Sequence, residues 1–192
     1  MTRTTEGNLD VLIVGAGPAG AVLSYLLSRE GIPVTLIERH HDFDREFRGE
    51  ILMPSGIEPF TQMGLEKQLK TVPHVTLDGV ELYANQKHLT TFAFNKELFG
   101  KYNPRWVSQP DLLEMLVGEC SQFKNFKLIR GTRVRELICE NNRVLGVIFD
   151  GDKRQEQLFA DIVIGTDGRT SRIRSSLGSS FRTDSMPMDI VW

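Results

Sequence analysis

LDVLIVGAGPAGAVLSYLLSREGIPVTLIE, residues 9–38, decides the fold. Residues 9–14 form a short aliphatic run, too short for a helix and stopped by glycine, as expected of a buried parallel strand. Beyond the glycines, Ala19, Val22, Leu23, Leu26 and Leu27 recur at helical spacing, with Pro18 in the first turn and Gly31 as terminator. That spacing predicts a helix with those five side chains facing inward. Residues 33–38, PVTLIE, supply a second strand, which the right-handed crossover rule places parallel to the first.

The turn between strand and helix, Gly15-Ala16-Gly17-Pro18-Ala19-Gly20, has G-x-G-x-x-G spacing. The three glycines serve different physical ends. Gly15 makes the turn, Gly17 lets backbone amides approach a pyrophosphate, and Gly20 lets the helix pack on the strand while its N-terminus faces negative charge. Glu38 ends the second strand about 20 residues on, where a carboxylate accepts hydrogen bonds from a ribose diol and repels a 2′-phosphate. The pattern selects the adenosine of FAD or NAD over that of NADP.

Further along, residues 40–53 read as polar and irregular, and Pro54 opens a short helix that Gly64 ends, with one more turn over 65–69. Residues 80–84 and 89–94 flank Asn85-Gln86-Lys87 as a hairpin that interrupts the βα pattern. A helix over 110–119 points Leu112, Leu113, Leu116 and Val117 inward, and a strand follows at 126–130. Residues 132–139 and 143–149 join through Asn141-Asn142, a pair that tolerates the positive φ of a tight turn. DIVIG, residues 161–165, is a second buried strand, and the segment 167–174 after it belongs at the C-terminal end of the sheet beside the glycine turn, where ligands of open α/β sheets collect. Phe92, Phe94, Phe99 and Trp106 read as packing residues.

Composition narrows the function. With 40% apolar and 25% charged residues and 17 glycines in 192, the chain is an ordinary folding sequence. Its 23 basic against 25 acidic residues give a net charge of −2, and no global field recruits nucleic acid or an acidic membrane. Residues 11–28 carry no charge, but the glycines and Pro18 argue against a membrane span, and the apolar run before them is too short for a signal peptide. A cytoplasmic location is expected. Cys120 and Cys139 form no C-x-x-C and read as reduced and structural. His40, His41, Asp42 and Asp44 lack further ligands at metal spacing and read as a solvated loop, so no metal is expected.

Over essentially its whole length the chain resembles the class A flavoprotein monooxygenases, the family with the p-hydroxybenzoate hydroxylase fold. The resemblance rests first on the glycine turn with Glu38-Arg39. It rests next on DIVIGTDGRTSRIR, residues 161–174, which is similar to the family's G-A-D-G-x-x-S-x-x-R pattern with Thr166 where Ala is usual. Arg48-Gly49-Glu50 leading to Pro54 is similar to the family's R-G-x-x-x-x-P segment near the flavin. Gln109 stands where the family has a flavin-contacting Gln or Arg, and Val134 lies on the strand that flanks the adenine. The arginines at 169, 172, 174 and 182 make a basic patch suited to phosphates.

What the resemblance implies is an α/β, Rossmann-like FAD-binding domain with a parallel sheet, an antiparallel β-meander and part of a second, substrate-facing β layer. FAD is expected on Gly15, Gly17, Pro18, Ala19, Gly20, Glu38, Arg39, Arg48, Gln109, Val134, Asp167 and Gly168. NAD(P)H would reduce the flavin, and one atom of dioxygen would pass to a small, aromatic organic substrate; the chemistry is the cofactor's, and no catalytic side chain is assigned. The alternatives are a geranylgeranyl-reductase-like or other FAD oxidoreductase of the same fold, or a non-catalytic nucleotide-binding fragment. The implied domains are residues 1–77 and 104–185 for FAD binding, 78–103 as an inserted hairpin of the substrate domain, and 186–192 as that domain's start. The family's downstream G-D segment is not in these 192 residues, so the expectation is an N-terminal portion, inactive by itself.

Overall fold

The computed structural model describes residues 9–44, 49–151, 154–179, 182 and 184. β1 (Leu9–Val14) leads through the glycine turn to α1 (Pro18–Arg29), and β2 (Val34–Ile37) returns parallel to β1, with Val11 opposite Val34 and Val14 opposite Ile37. β3 (Gly49–Leu52), α2 (Pro54–Gln62), α3 (Glu66–Leu69) and β4 (His74–Thr76) follow. Then come β5 (Gly79–Ala84), β6 (Lys87–Ala93), α4 (Lys96–Phe99), β7 (Arg105–Ser108) and α5 (Gln109–Cys120). β8 (Phe126–Ile129), β9 (Val134–Glu140), β10 (Arg143–Asp150), β11 (Gln155–Gly165) and α6 (Arg172–Ser176) complete the order.

The main sheet runs β8-β2-β1-β11-β10-β9. Its parallel part is β8, β2, β1 and the second half of β11, which aligns Ala160 with Leu9 and Gly165 with Val14. The first half of β11 pairs antiparallel with β10, so one strand joins the parallel layer to the meander β9–β10. Alternation along β1 sends Ile13 into a core beneath α1, α2 and α5, and Leu12 to the opposite face with Val147 and Ile173. Leu12 and Ile13 are fully buried, worth about 1.5–3 kcal/mol each.

Several features differ from the sequence reading. The buried line of α1 is Gly20, Ala21, Ser24, Tyr25 and Ser28, with Val22, Leu23, Leu26 and Leu27 only partly covered and Ala19 exposed. The cause is close approach: the helix lies against β2 and α5, near enough for the Cys120 thiol to reach the Ala21 carbonyl at 3.8 Å, so small residues occupy the seam and the larger ones flank it. The segment read as irregular contains β3, which pairs with β7 and, through β7, with β4 in a three-stranded antiparallel sheet. Edge pairing of this kind rests on backbone partners far away in sequence, which no local apolar pattern reveals. β11 is longer than expected and only partly covered: Ile162 is 54% exposed because α1 packs over β1 and β2 rather than over β11. Cys139 lies on the exposed side of β9, so only Cys120 is a core residue.

The hairpin β5–β6 is a separate two-stranded sheet closed by Asn85 and Gln86, both at positive φ, a two-residue turn rather than the three-residue loop expected. Phe94 and Phe99 meet edge to face at 4.7 Å beside it, whereas Phe92 is 55% exposed and packs less than its type suggested. Among the described residues no helix is long and apolar enough to cross a membrane.

The two thiols should behave oppositely. Burial pushes Cys120 up to about 12, so a disulfide reagent at pH 8 should titrate Cys139 alone in the native protein and both thiols after denaturation. Two fast native thiols would contradict the packing of α5. Because Cys120 holds its proton more tightly folded than unfolded, its contribution to stability is complete below the unfolded value of about 8.5 and declines as pH rises from there toward 12.

Candidate functional site

The glycine turn leaves β1 with its conformation fixed from several sides. Gly15 has φ +104°, and a Cβ there would lie 2.6 Å from the Thr166 carbonyl oxygen, so only glycine fits. Its N–H donates to Ile37 O at 2.8 Å, and the Thr166 N–H donates to Val14 O at 2.8 Å. A Cβ on Gly20 would lie 2.0 Å from Gly15 O, which is the close helix-on-turn packing that the spacing called for. Gly17 is different. Its φ of −68° and ψ of −178° suit any residue, and a Cβ there meets no protein atom within 4 Å. Nothing inside the chain demands glycine at 17; the space its missing side chain leaves opens into a cavity.

That cavity, about 500 Å³, sits at the C-terminal ends of β1, β2 and β11, where the sheet order reverses about β1. Its size is typical of a small-molecule site. Pro18 and Ala19 border it at the N-terminus of α1, whose first-turn amides have no partner within the helix. Against the turn stands Glu38, only 3% exposed, whose Oε2 accepts the Ala16 N–H at 2.8 Å and whose Oε1 accepts the His40 N–H at 3.1 Å. A carboxylate offers about four lone-pair sites, so it can also take incoming hydroxyl donors. Arg39 borders the cavity beside it, its Nε 2.8 Å from His40 Nε2.

The segment after β11 forms the next wall, as the strand-end argument expected: Asp167, Gly168, Arg169 and Arg172 all border the cavity. The Asp167 carboxylate is committed to its own segment, accepting from the Ser171 hydroxyl at 2.5 Å and from the Arg172 and Ile173 N–H groups at 2.6 and 3.2 Å. Ser171 in turn caps α6 by accepting the Arg174 N–H at 3.0 Å. Gly168 has φ +85°, which requires glycine. Of the four arginines read as a phosphate patch, two face the cavity. Arg174 donates to Arg169 O at 2.6 Å, and Arg182 pairs with Asp184 at 2.7 Å.

Gln109 opens α5 at the end of β7 and is 8% exposed. Its Nε2 donates to Glu50 Oε1, a contact set by the β3–β7 register that places Glu50 opposite Val107. α5 is pinned at its middle by Arg130, which grips both oxygens of Glu114 at 2.6 and 2.7 Å, stacks over Phe43 at 4.6 Å and holds the Glu114 carboxyl below its ordinary range. Val134 is buried and borders the cavity with Thr132 and Arg133.

Ten expected residues thus line one space: Gly15, Gly17, Pro18, Ala19, Glu38, Arg39, Gln109, Val134, Asp167 and Gly168. Gly20 does not; it packs behind the turn. Arg48 lies outside the described residues. The sequence reading did not place Glu50, Leu113, Thr132, Arg133 or Thr166 among the cofactor-binding residues. Their signal was position alone: Thr132 and Arg133 just before Val134, Thr166 just before Asp167, Leu113 one helical turn after Gln109, and Glu50 in the Arg48-Gly49-Glu50 segment. Joining the polar cavity through Pro18, Ala19 and Glu50 is an apolar groove of about 460 Å³ between α1, α2 and α5, where Leu23, Leu26 and Phe60 meet.

A family model described as an FAD binding domain matches residues 8–192. The chain is 34% identical over 185 residues to the 6-methylpretetramide 4-monooxygenase of Streptomyces rimosus, an alignment covering 95% of this chain and 44% of that protein. It is 33% identical over 174 residues to squalene epoxidase 4 of Arabidopsis thaliana, covering 90% and 34%. The chain spans less than half the length of these relatives. In fold it is similar to P. aeruginosa PqsL in complex with 2-aminobenzoylacetate, with a TM-score of 0.79 at 22% identity over 94% of this chain and 49% of that one. It is similar also to the p-nitrophenol 4-monooxygenase of Pseudomonas putida, with a TM-score of 0.79 at 19% identity over 91% and 44%.

Proposed function

Because the chain belongs to the FAD-binding domain family, we propose that the cavity at the glycine turn holds FAD and that the chain is the flavin-binding part of an NAD(P)H-dependent monooxygenase acting on a small organic substrate. The observation that carries the reading is the pairing of Gly17 with Glu38. A glycine that no protein neighbour requires and a buried carboxylate bonded to the turn border one cavity, with four arginines at its edge: Arg39, Arg133, Arg169 and Arg172. That donor and acceptor set fits a dinucleotide: hydroxyls of a ribose to Glu38, phosphates to the turn amides and arginines.

Bound FAD would supply the redox chemistry, taking electrons from NAD(P)H and activating dioxygen. This chain's residues bind and orient it. Glu38 fixes the adenosine end and disfavours a 2′-phosphate, Gly17 admits the phosphates, and Val134 offers an apolar wall. Gln109, held by Glu50, presents its side chain to the same cavity. Residues 1–77 and 104–185 are assigned to this binding unit, and 78–103, with the exposed Leu82, Leu89 and Phe92, to a substrate-facing layer. A cytoplasmic setting suits a nicotinamide electron donor. An aromatic substrate is the class we favour.

Titrating the purified chain with FAD tests the reading through flavin fluorescence. Saturable one-to-one binding, competed by ADP and not by 2′,5′-ADP, is expected. No binding of FAD, or equal competition by the 2′-phosphorylated nucleotide, contradicts it.

A further inference from the structure

The peptide unit between Gly15 and Ala16 is held at both of its polar groups, by residues more than a hundred positions apart. Its N–H, on Ala16, donates to Glu38 Oε2 at 2.8 Å. Its C=O, on Gly15, accepts from the Thr166 hydroxyl at 2.7 Å, with Val14 O a longer alternative at 3.0 Å. A peptide plane pinned at both ends cannot rotate, and its orientation fixes where the next amides, from Gly17 into α1, are aimed. The Thr166 side chain reaches this carbonyl because Gly20 has none: a Cβ at 20 would lie 2.7 Å from Thr166 Oγ1.

Thr166 also joins two walls. Its own N–H continues the β1–β11 ladder to Val14 O, and the residue after it, Asp167, organises the turn that carries Arg169 and Arg172 to the cavity. The glycine turn and the arginine-bearing turn, both of which border the cavity, therefore meet at one threonine. We infer that the Thr166 hydroxyl is a positioning group for a diphosphate, locking the Gly15–Ala16 peptide so that the turn amides and the arginines address the same anion. This rests on the reading of the cavity as a dinucleotide site and adds to it a residue whose role depends on a single hydroxyl.

The test compares Thr166→Val, which keeps shape and loses the donor, with Thr166→Ser, which keeps the donor. Each is titrated with FAD and with ADP at a temperature where every variant is fully folded. Leu69→Ala, in the core beneath α3 and away from both cavities, measures how far affinity moves when stability alone falls. The expected result is a Kd for both ligands about five- to tenfold weaker in Thr166→Val, as one net hydrogen bond implies, with Ser within about twofold of wild type. Leu69→Ala should melt earlier and bind as wild type does. Wild-type affinity in Thr166→Val overturns the inference, and so does a Ser variant as weak as Val, or a Leu69→Ala variant weakened equally. A wild-type chain that binds neither FAD nor ADP overturns the dinucleotide reading and this inference together.

Discussion

Replacing Gly17 by Val should leave the protein folded, with a melting temperature close to wild type, and weaken its FAD binding about a hundredfold or more, roughly 2.7 kcal/mol. The two halves of that result have separate causes. The backbone at 17 is extended, with φ −68°, where a β-branched residue is at ease, and its Cβ would meet no protein atom within 4 Å. The folded chain therefore accommodates valine. The same side chain projects into the cavity beside the N-terminus of α1, where a phosphate must come within about 2.9 Å of backbone nitrogens. Three added carbon atoms there hold the anion away from its donors. Flavin fluorescence and thermal melting on the same sample decide it; a variant that keeps wild-type flavin affinity would mean that the phosphates do not pass over Gly17.

What the sequence made legible was whatever depends on local pattern. The βαβ unit of residues 9–38 was readable because an apolar strand, three spaced glycines and a terminal Glu38 each have one structural use, and they agree. Asp167 and Gly168 were placed beside the glycine turn by the rule of strand ends, and the Gly15–Thr166 contact bears that placement out. The part that stayed hidden depends on distance in sequence. β3 pairs as an edge strand with the central β7 across some fifty residues, and the proximity of Glu50 to Gln109 follows only from that register. The inward face of α1 was misread for a related reason: helical periodicity marks the larger apolar residues, whereas the closest contact with β2 and α5 selects the smallest. Thr166 was visible as a departure from a family pattern, but its hydrogen bond to the turn was not.

Gly20→Ala should destabilise the fold by about 2 kcal/mol or more, although alanine is the better helix former by about 1 kcal/mol. Gly118→Ala provides the matched case. Both glycines lie within helices, but Gly118 is exposed on α5 and a Cβ there meets nothing within 4 Å, so alanine should stabilise by about 0.5–1 kcal/mol. At Gly20 the added carbon would stand 2.0 Å from Gly15 O, a distance no real contact reaches, and the obstacle is backbone. Gly15 has little freedom to retreat. Its N–H is bonded to Ile37 O, its carbonyl to Thr166, and its own α-carbon is packed against the Thr166–Asp167 backbone. Relief requires α1 to lift from the turn by about 1 Å, which loosens the seam of Ala21, Ser24 and Tyr25 as well. Adding Thr166→Ala should not rescue the variant, because it removes the softer contact at 2.7 Å and leaves the carbonyl in place. Urea denaturation of the two single variants and the double variant separates the terms. A Gly20→Ala chain as stable as wild type would mean that α1 does not sit on the glycine turn as closely as the packing of Gly20 on Gly15 requires.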